Sequence, residues 1–264
     1  MGRLRKERLA RFLGYDPEQL VEIASALHQT LDEAWQEDRR AYDFGEGTTY
    51  SPSMLGGLLR GKKGLYEILY IFGDDADETT ARLLFDRTAA MLSALLESDD
   101  AIRDWGVPDR LAFTEDGVQP ASDTIDTAEQ WDLVNHLTDG FTLVREEEET
   151  AQFFTRLQPE LLDTLGAFTD RLLVRALDYQ MPAGRLVRTL DLETGEITSH
   201  DHTAVAIGRF ITAAGNAYRQ GSAFERAQDW DNVSAEVQQR SRDLYDAILS
   251  HTELLETAFL EPDE

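Results

Sequence analysis

What most constrains this chain is the spacing of its apolar residues. Leu20, Ile23, Ala24, Leu27, Leu31 and Trp35 recur at helical intervals, which lines them up on one face of an α-helix. Asp16-Pro17-Glu18 stands just before them: a side chain that caps, a proline suited to the first helical position, and an acid in the first turn. The spacing predicts a helix from there to about Arg40. The period returns in Leu84, Phe85, Thr88, Met91, Leu92 and Leu95, predicting a helix over Asp77 to Glu97 with Asp77 and Thr79 as caps. It returns over Thr127–Thr138, from Pro159 through Leu165, Phe168 and Leu172, over Thr203–Tyr218, and over 231–259 with Leu244, Ile248 and Leu255. Ala206, Gly208, Ala213, Ala214 and Gly215 imply close helix approach in the Thr203–Tyr218 segment. The fold class that follows is mainly α, a bundle-like helical body with one β-hairpin.

That hairpin is read from Arg185–Leu192 and Glu196–His200, which flank Glu193-Thr194-Gly195. Two strands alone are marginal, so they must pack on helices or on a partner. Residues 106–125 form the longest irregular stretch, with a turn at Glu115-Asp116-Gly117 and short strands on either side. They are the best place for a sub-division of what otherwise reads as one helical domain over 15–264. Tyr42 to Ser53 reads as a loop, and Met54 to Gly73 as two short helices around Gly61–Gly64.

Charge decides what surrounds these helices. Asp and Glu number 51 against 25 Lys and Arg in 264 residues, a formal net charge of −26. A hydrophobic fraction of 42% is too high for a disordered chain, so the acid belongs on the outside of a folded body. Of the 25 cations, 22 are Arg and three are Lys. Acid excess with so little lysine resembles the composition of salt-accumulating extreme halophiles. There the Debye length shrinks to ~3 Å at about 1 M salt and the self-repulsion is screened. The absence of Cys excludes disulfide staples and Cys-ligated metal. The sign of the charge excludes a globally basic nucleic-acid binder. No apolar run has membrane-spanning length. With no secretory h-region near the start, a cytoplasmic location is expected, or a virion if the chain is viral.

The exceptions to the acidity are local. Residues 1–11 hold Arg3, Arg5, Lys6, Arg8 and Arg11 against one acid, and with Leu4, Leu9, Phe12 and Leu13 they form a basic amphipathic arm over 1–14. The other two lysines, Lys62 and Lys63, stand together beside Arg60. Gly56 to Lys62 matches the GxxxxGK of a phosphate-binding loop, but Lys63 occupies the hydroxyl position that would hold Mg²⁺, and no strand precedes it. Arg60, Lys62 and Lys63 are therefore expected to form a basic tip for an anion or an acidic partner, and the arm a docking surface for an acidic protein or a second copy of the chain. Nucleic acid is an alternative only through these local basic patches, since phosphate contacts weaken steeply with salt.

His200-Asp201-His202 follows the hairpin. Residues alternate in direction along a strand, so His200 and His202 can converge on a metal, with His136, Asp229, Asp231 and His251 as further ligand types; the structural alternative is that Asp201 caps the next helix. Glu146–Glu149 reads as a solvated helix start. His28 and His251 lie by apolar stripes, where histidines are packed and hydrogen-bonded. No GxSxG elbow is present. No cofactor is implied. The expected function is a non-enzymatic structural or adaptor subunit of a larger protein assembly in an extreme halophile, such as a virus-particle component. The alternatives are a nucleic-acid-associated regulator using the arm, and a metal-dependent hydrolase centred on His200 and His202.

Overall fold

The computed structural model describes residues 11, 14–45, 47–98, 103, 105–141, 164–165, 168–169, 171–172, 177–178, 180, 185–201, 203–226 and 235–257. The fold is mainly α, with small antiparallel sheets. The expected helix start at Pro159, the run Glu146–Glu149 and residues 1–10 of the arm lie outside the described residues.

Helix α1 spans Pro17–Ala34, and Asp16 caps it by accepting from the Glu18 amide at 3.1 Å. It stops six residues short of Arg40 because Trp35 turns to extended backbone and pairs with Tyr42. Strands β1 (Trp35–Gln36) and β2 (Ala41–Tyr42) form this short hairpin, with Arg40 at φ 52° closing the turn. Strand β3 (Thr49–Tyr50) leads into α2 (Pro52–Phe72), capped by Ser51, which accepts from the Met54 amide at 3.2 Å. The two short helices expected here are one. Leu55, Leu59, Lys62, Tyr66 and Leu69 stay in helical register through the glycines, and their burial holds the helix together.

Helix α3 (Asp75–Glu97) begins with a capping box at Asp74 and not at Asp77 or Thr79. Asp74 accepts from the Ala76 and Asp77 amides, and the Asp77 carboxylate accepts from the Asp74 amide at 2.9 Å. Strands β4 (Leu111–Thr114) and β5 (Gly117–Pro120) flank the expected turn at Glu115 and Asp116. Strand β3 completes their sheet in the order β3-β4-β5. Next come β6 (Thr124–Asp126), α4 (Thr127–Phe141), β7 (Thr189–Asp191), β8 (Ile197–Ser199), α5 (Ala204–Arg226) and α6 (Ala235–Leu255).

The β7–β8 hairpin has the covering it needs within the chain. Strand β6 pairs with β7 in the sheet β6-β7-β8, and Arg188 meets Asp126 at 2.6 Å. Ile125, Val187, Leu190 and Leu192 form a small apolar cluster under Trp105. The main core runs through the helices: α2 lies against α1, α3 and α4, α4 against α5, and α5 against α6. Gly56 lets α2 and α4 approach closely, since a Cβ there would sit 2.9 Å from the His136 Cβ and 3.2 Å from the Leu133 Cα. On α5 the close contacts come from buried Ala206, Ala213 and Ala214, while Gly208 and Gly215 face open space. Among the described residues no helix is long and apolar enough to cross a membrane.

Candidate functional site

At about 100° per residue, Arg60 and Lys63 lie about 60° apart on α2, whereas Lys62 points well away from both. Arg60 is exposed. Lys63 pairs with Glu67 one turn on, at 3.2 Å. Lys62 is 1% exposed and points into the core. The expected basic tip is thus divided, and Lys62 is not available to a surface anion. The phosphate-loop reading fails for a related reason: Gly56 to Lys62 lie inside α2, where amides are committed to the helical ladder.

Lys62 has entered a box of rings instead. Trp35 and Tyr42 oppose each other across the β1–β2 ladder, edge to face at 4.9 Å. The Lys62 Nζ lies 4.6 Å from the Tyr42 ring centre and 5.7 Å from that of Trp35, distances at which a ring face attracts an ammonium. Nζ has no hydrogen-bond partner and no ion pair among the described residues. Burial pulls the lysine well below its ordinary 10.5, and the Arg87 guanidinium adds to this. Arg87 itself stands 5.3 Å from the Trp35 ring centre and pairs with Asp32. Burial lowers His28 while Asp32 opposes the shift, and burial raises Tyr42. Tyr50, pushed by burial up to about 12, accepts from the Tyr42 amide at 2.8 Å and donates its hydroxyl to the Tyr42 carbonyl.

A second polar group joins α2, α4 and α5. The Ser53 amide donates to Glu129 at 3.2 Å and its hydroxyl donates to Asp132. Arg209 reaches Glu129 at 3.4 Å and Asp132 at 3.8 Å, and the His136 Nε2 lies 3.8 Å from the same Asp132 oxygen. Activation of a serine by histidine needs the hydroxyl bonded to the imidazole. Here the carboxylate stands between them, so the cluster ties three helices by charge.

The metal candidates are dispersed. His200 is exposed and His202 lies outside the described residues, as do Asp229 and Asp231. Thr203, and not Asp201, caps α5 by accepting from the Ala206 amide at 3.1 Å. No group of three or more His, Asp or Glu among the described residues is placed to hold a metal. His251 is buried against Phe210, accepts from the Leu186 amide at 3.0 Å through Nε2, and so carries its proton on Nδ1, 2.7 Å from the Ala247 carbonyl. Of the basic arm, Arg11 is described and exposed; Arg3, Arg5, Lys6 and Arg8 lie outside the described residues.

Two helices carry apolar residues outward. On α1 the expected stripe splits: Ala24 is buried, while Ile23 and Leu27 are 50% and 51% exposed, with exposed Gln19, Ala26 and Thr30 around them. The stripe is wider than the contact α1 makes with α2. On α6, Leu244 and His251 face inward, while Tyr245 and Leu249 are 48% and 51% exposed. No protein-family model and no curated protein matches the chain. The outward position of Ile23 and Leu27 is invisible to periodicity, which ranks them with Ala24. A signal for it exists in the uncharged run of Gln19, Ile23, Ala26, Leu27 and Thr30, on a chain where 29% of residues are charged.

Proposed function

We propose that this chain works by binding, as a helical subunit of a larger protein assembly at high salt, and not by turning over a substrate. The observation that carries the reading is the uncharged, half-exposed face of α1 around Ile23 and Leu27. A strongly acidic protein that leaves such a face open keeps a surface that gains free energy when covered, about 25 cal/mol per Å² of apolar area. Arg3, Arg5, Lys6, Arg8 and Arg11 complement this by offering cations to an acidic neighbour. The composition sets the solvent in which such contacts form, since molar salt screens the repulsion between acidic bodies.

The test is native purification at molar KCl. The chain is expected to elute in a complex above its own 29.8 kDa, and the double variant Ile23→Glu, Leu27→Glu to elute free with an unchanged far-ultraviolet circular dichroism spectrum. Elution of the wild type as a bare single chain would overturn the reading.

A further inference from the structure

We infer that the box around Lys62 is a binding site for a small monovalent anion, chloride in a KCl medium, held by the Lys62 ammonium and the Arg87 Nε–H with the Tyr42 hydroxyl as a further donor. The observation is a group of buried polar atoms with no hydrogen-bond partner among the described residues: Lys62 Nζ, Arg87 Nε, the Tyr42 hydroxyl and His28 Nδ1. They come from four elements, α2, α3, β2 and α1, and surround one pair of rings. Lys62 Nζ lies 4.6 Å from the Tyr42 ring centre, and Lys62 and Arg87 both stand by Trp35, at 5.7 and 5.3 Å from its ring centre. The Arg87 charge acts on His28, Tyr42 and Lys62 alike, so the guanidinium is their common neighbour. Buried polar groups of folded proteins are nearly always paired, and four unpaired ones in one place call for a shared partner.

The chemistry of these atoms selects the partner. An ammonium and a guanidinium Nε offer donors and no acceptor, and a phenol donates readily. Such a set repels a cation and fits an acceptor. A water molecule accepts from two of them but brings no charge, and charge is what distinguishes the candidates. Facing the box are Lys62 and Arg87, both cationic, and Asp32, which is already paired with Arg87; burial keeps His28 and Tyr42 neutral at pH 7. One negative charge beside Lys62 balances the group. Without an anion the box reaches neutrality by loss of the Lys62 proton, so anion concentration decides between the two states. Size is bounded as well. Lys62 is 1% exposed, which leaves no way in for a bulky organic anion. The outer wall is the Arg87–Asp32 pair, whose side chains are 15% and 49% exposed, and a small ion exchanges past it. The ligand is thus an enclosed ion, unlike the surface anion expected at an Arg60, Lys62 and Lys63 tip.

The experiment is urea unfolding of the full-length chain at pH 7 and constant molar potassium, with glutamate replaced stepwise by chloride. An ion that binds the folded chain alone raises the folding constant as its concentration passes the dissociation constant. On going from glutamate to chloride, wild type is expected to gain about tenfold over any change in Lys62→Met. That variant cancels the general effect of the salts; it should be the more stable protein in glutamate and lose its lead in chloride. Tyr42→Phe keeps the ring and removes one donor, and its response to chloride should be about threefold smaller than that of wild type. Unchanged far-ultraviolet circular dichroism certifies the fold of each variant. A wild-type crystal transferred to KBr gives an independent reading, with anomalous scattering from bromide expected beside Lys62 Nζ. A chloride response equal in wild type and Lys62→Met overturns the site, as does a bromide-soaked crystal with no anomalous peak at Nζ. Both outcomes leave the assembly reading standing, since that is decided by elution of the Ile23 and Leu27 variant.

Discussion

At the scale of one residue, Lys62 sets the sharpest electrostatic problem among the described residues. An ammonium lifted out of water without a carboxylate opposite it is costly, and two ring faces replace only part of its hydration. Its folded-state pKa is depressed, so between that value and the ordinary 10.5 the unfolded chain binds a proton that the folded chain does not. Stability then rises with pH through that window. Lys62→Met, which keeps the length and apolar stem, is expected to stabilise the protein at pH 7 by about 1–3 kcal/mol. The gain should shrink as pH approaches 10.5, as read by urea unfolding across the pH range. A gain that does not change with pH, or a loss, would show that Trp35 and Tyr42 hold the side chain charged. Nothing local announces this burial. The two walls of the box lie 20 or more residues earlier in the chain, and only the tertiary fold brings them around Lys62.

At the scale of the element, α2 gives glycine two opposite meanings. Gly61 and Gly64 face open space inside the helix, so Gly61→Ala and Gly64→Ala should each raise stability by about 0.5–1 kcal/mol through helix propensity and a less flexible unfolded chain. Gly56 lies against the His136 Cβ and the Leu133 backbone, so Gly56→Ala should lower stability by about 1–3 kcal/mol. Thermal melts of the three variants decide this; equal signs would contradict the geometry. Elements with local causes were legible from sequence. Asp16-Pro17-Glu18 starts α1 where expected, and the turns at Glu115-Asp116 and Glu193-Thr194-Gly195 join the strands expected around them. Boundaries with distant causes were not. The stop of α1 depends on Tyr42 pairing with Trp35, and the cover of the β7–β8 hairpin depends on β6, more than 60 residues earlier. The faces around Ile23 and Tyr245 could be listed as apolar but not turned outward, because that choice belongs to the neighbours of each helix.

At the scale of the whole molecule, net charge is the main control. With −26 on one chain, melting temperature is expected to climb from low to molar KCl as repulsion is screened, and the climb should level off once the Debye length falls to ~3 Å. A flat or falling curve would remove the high-salt setting from the proposed function. Screening also weakens the Arg82–Glu78 pair, but an exposed pair contributes little, so the body-wide term decides the sign.

The helices also differ in how they are held. Among the described residues α2 and α4 are gripped by several neighbours, whereas α6 leans on α5 and α1 chiefly on α2. Among the described residues, the outward-facing apolar surface of α1 therefore sits on an element held by fewer neighbouring elements than α2 or α4. Elements of that kind open locally at lower free energy than the centre of the fold. A neighbour that covered the α1 face would suppress such opening, so under the proposed function association and the local order of α1 would be one equilibrium.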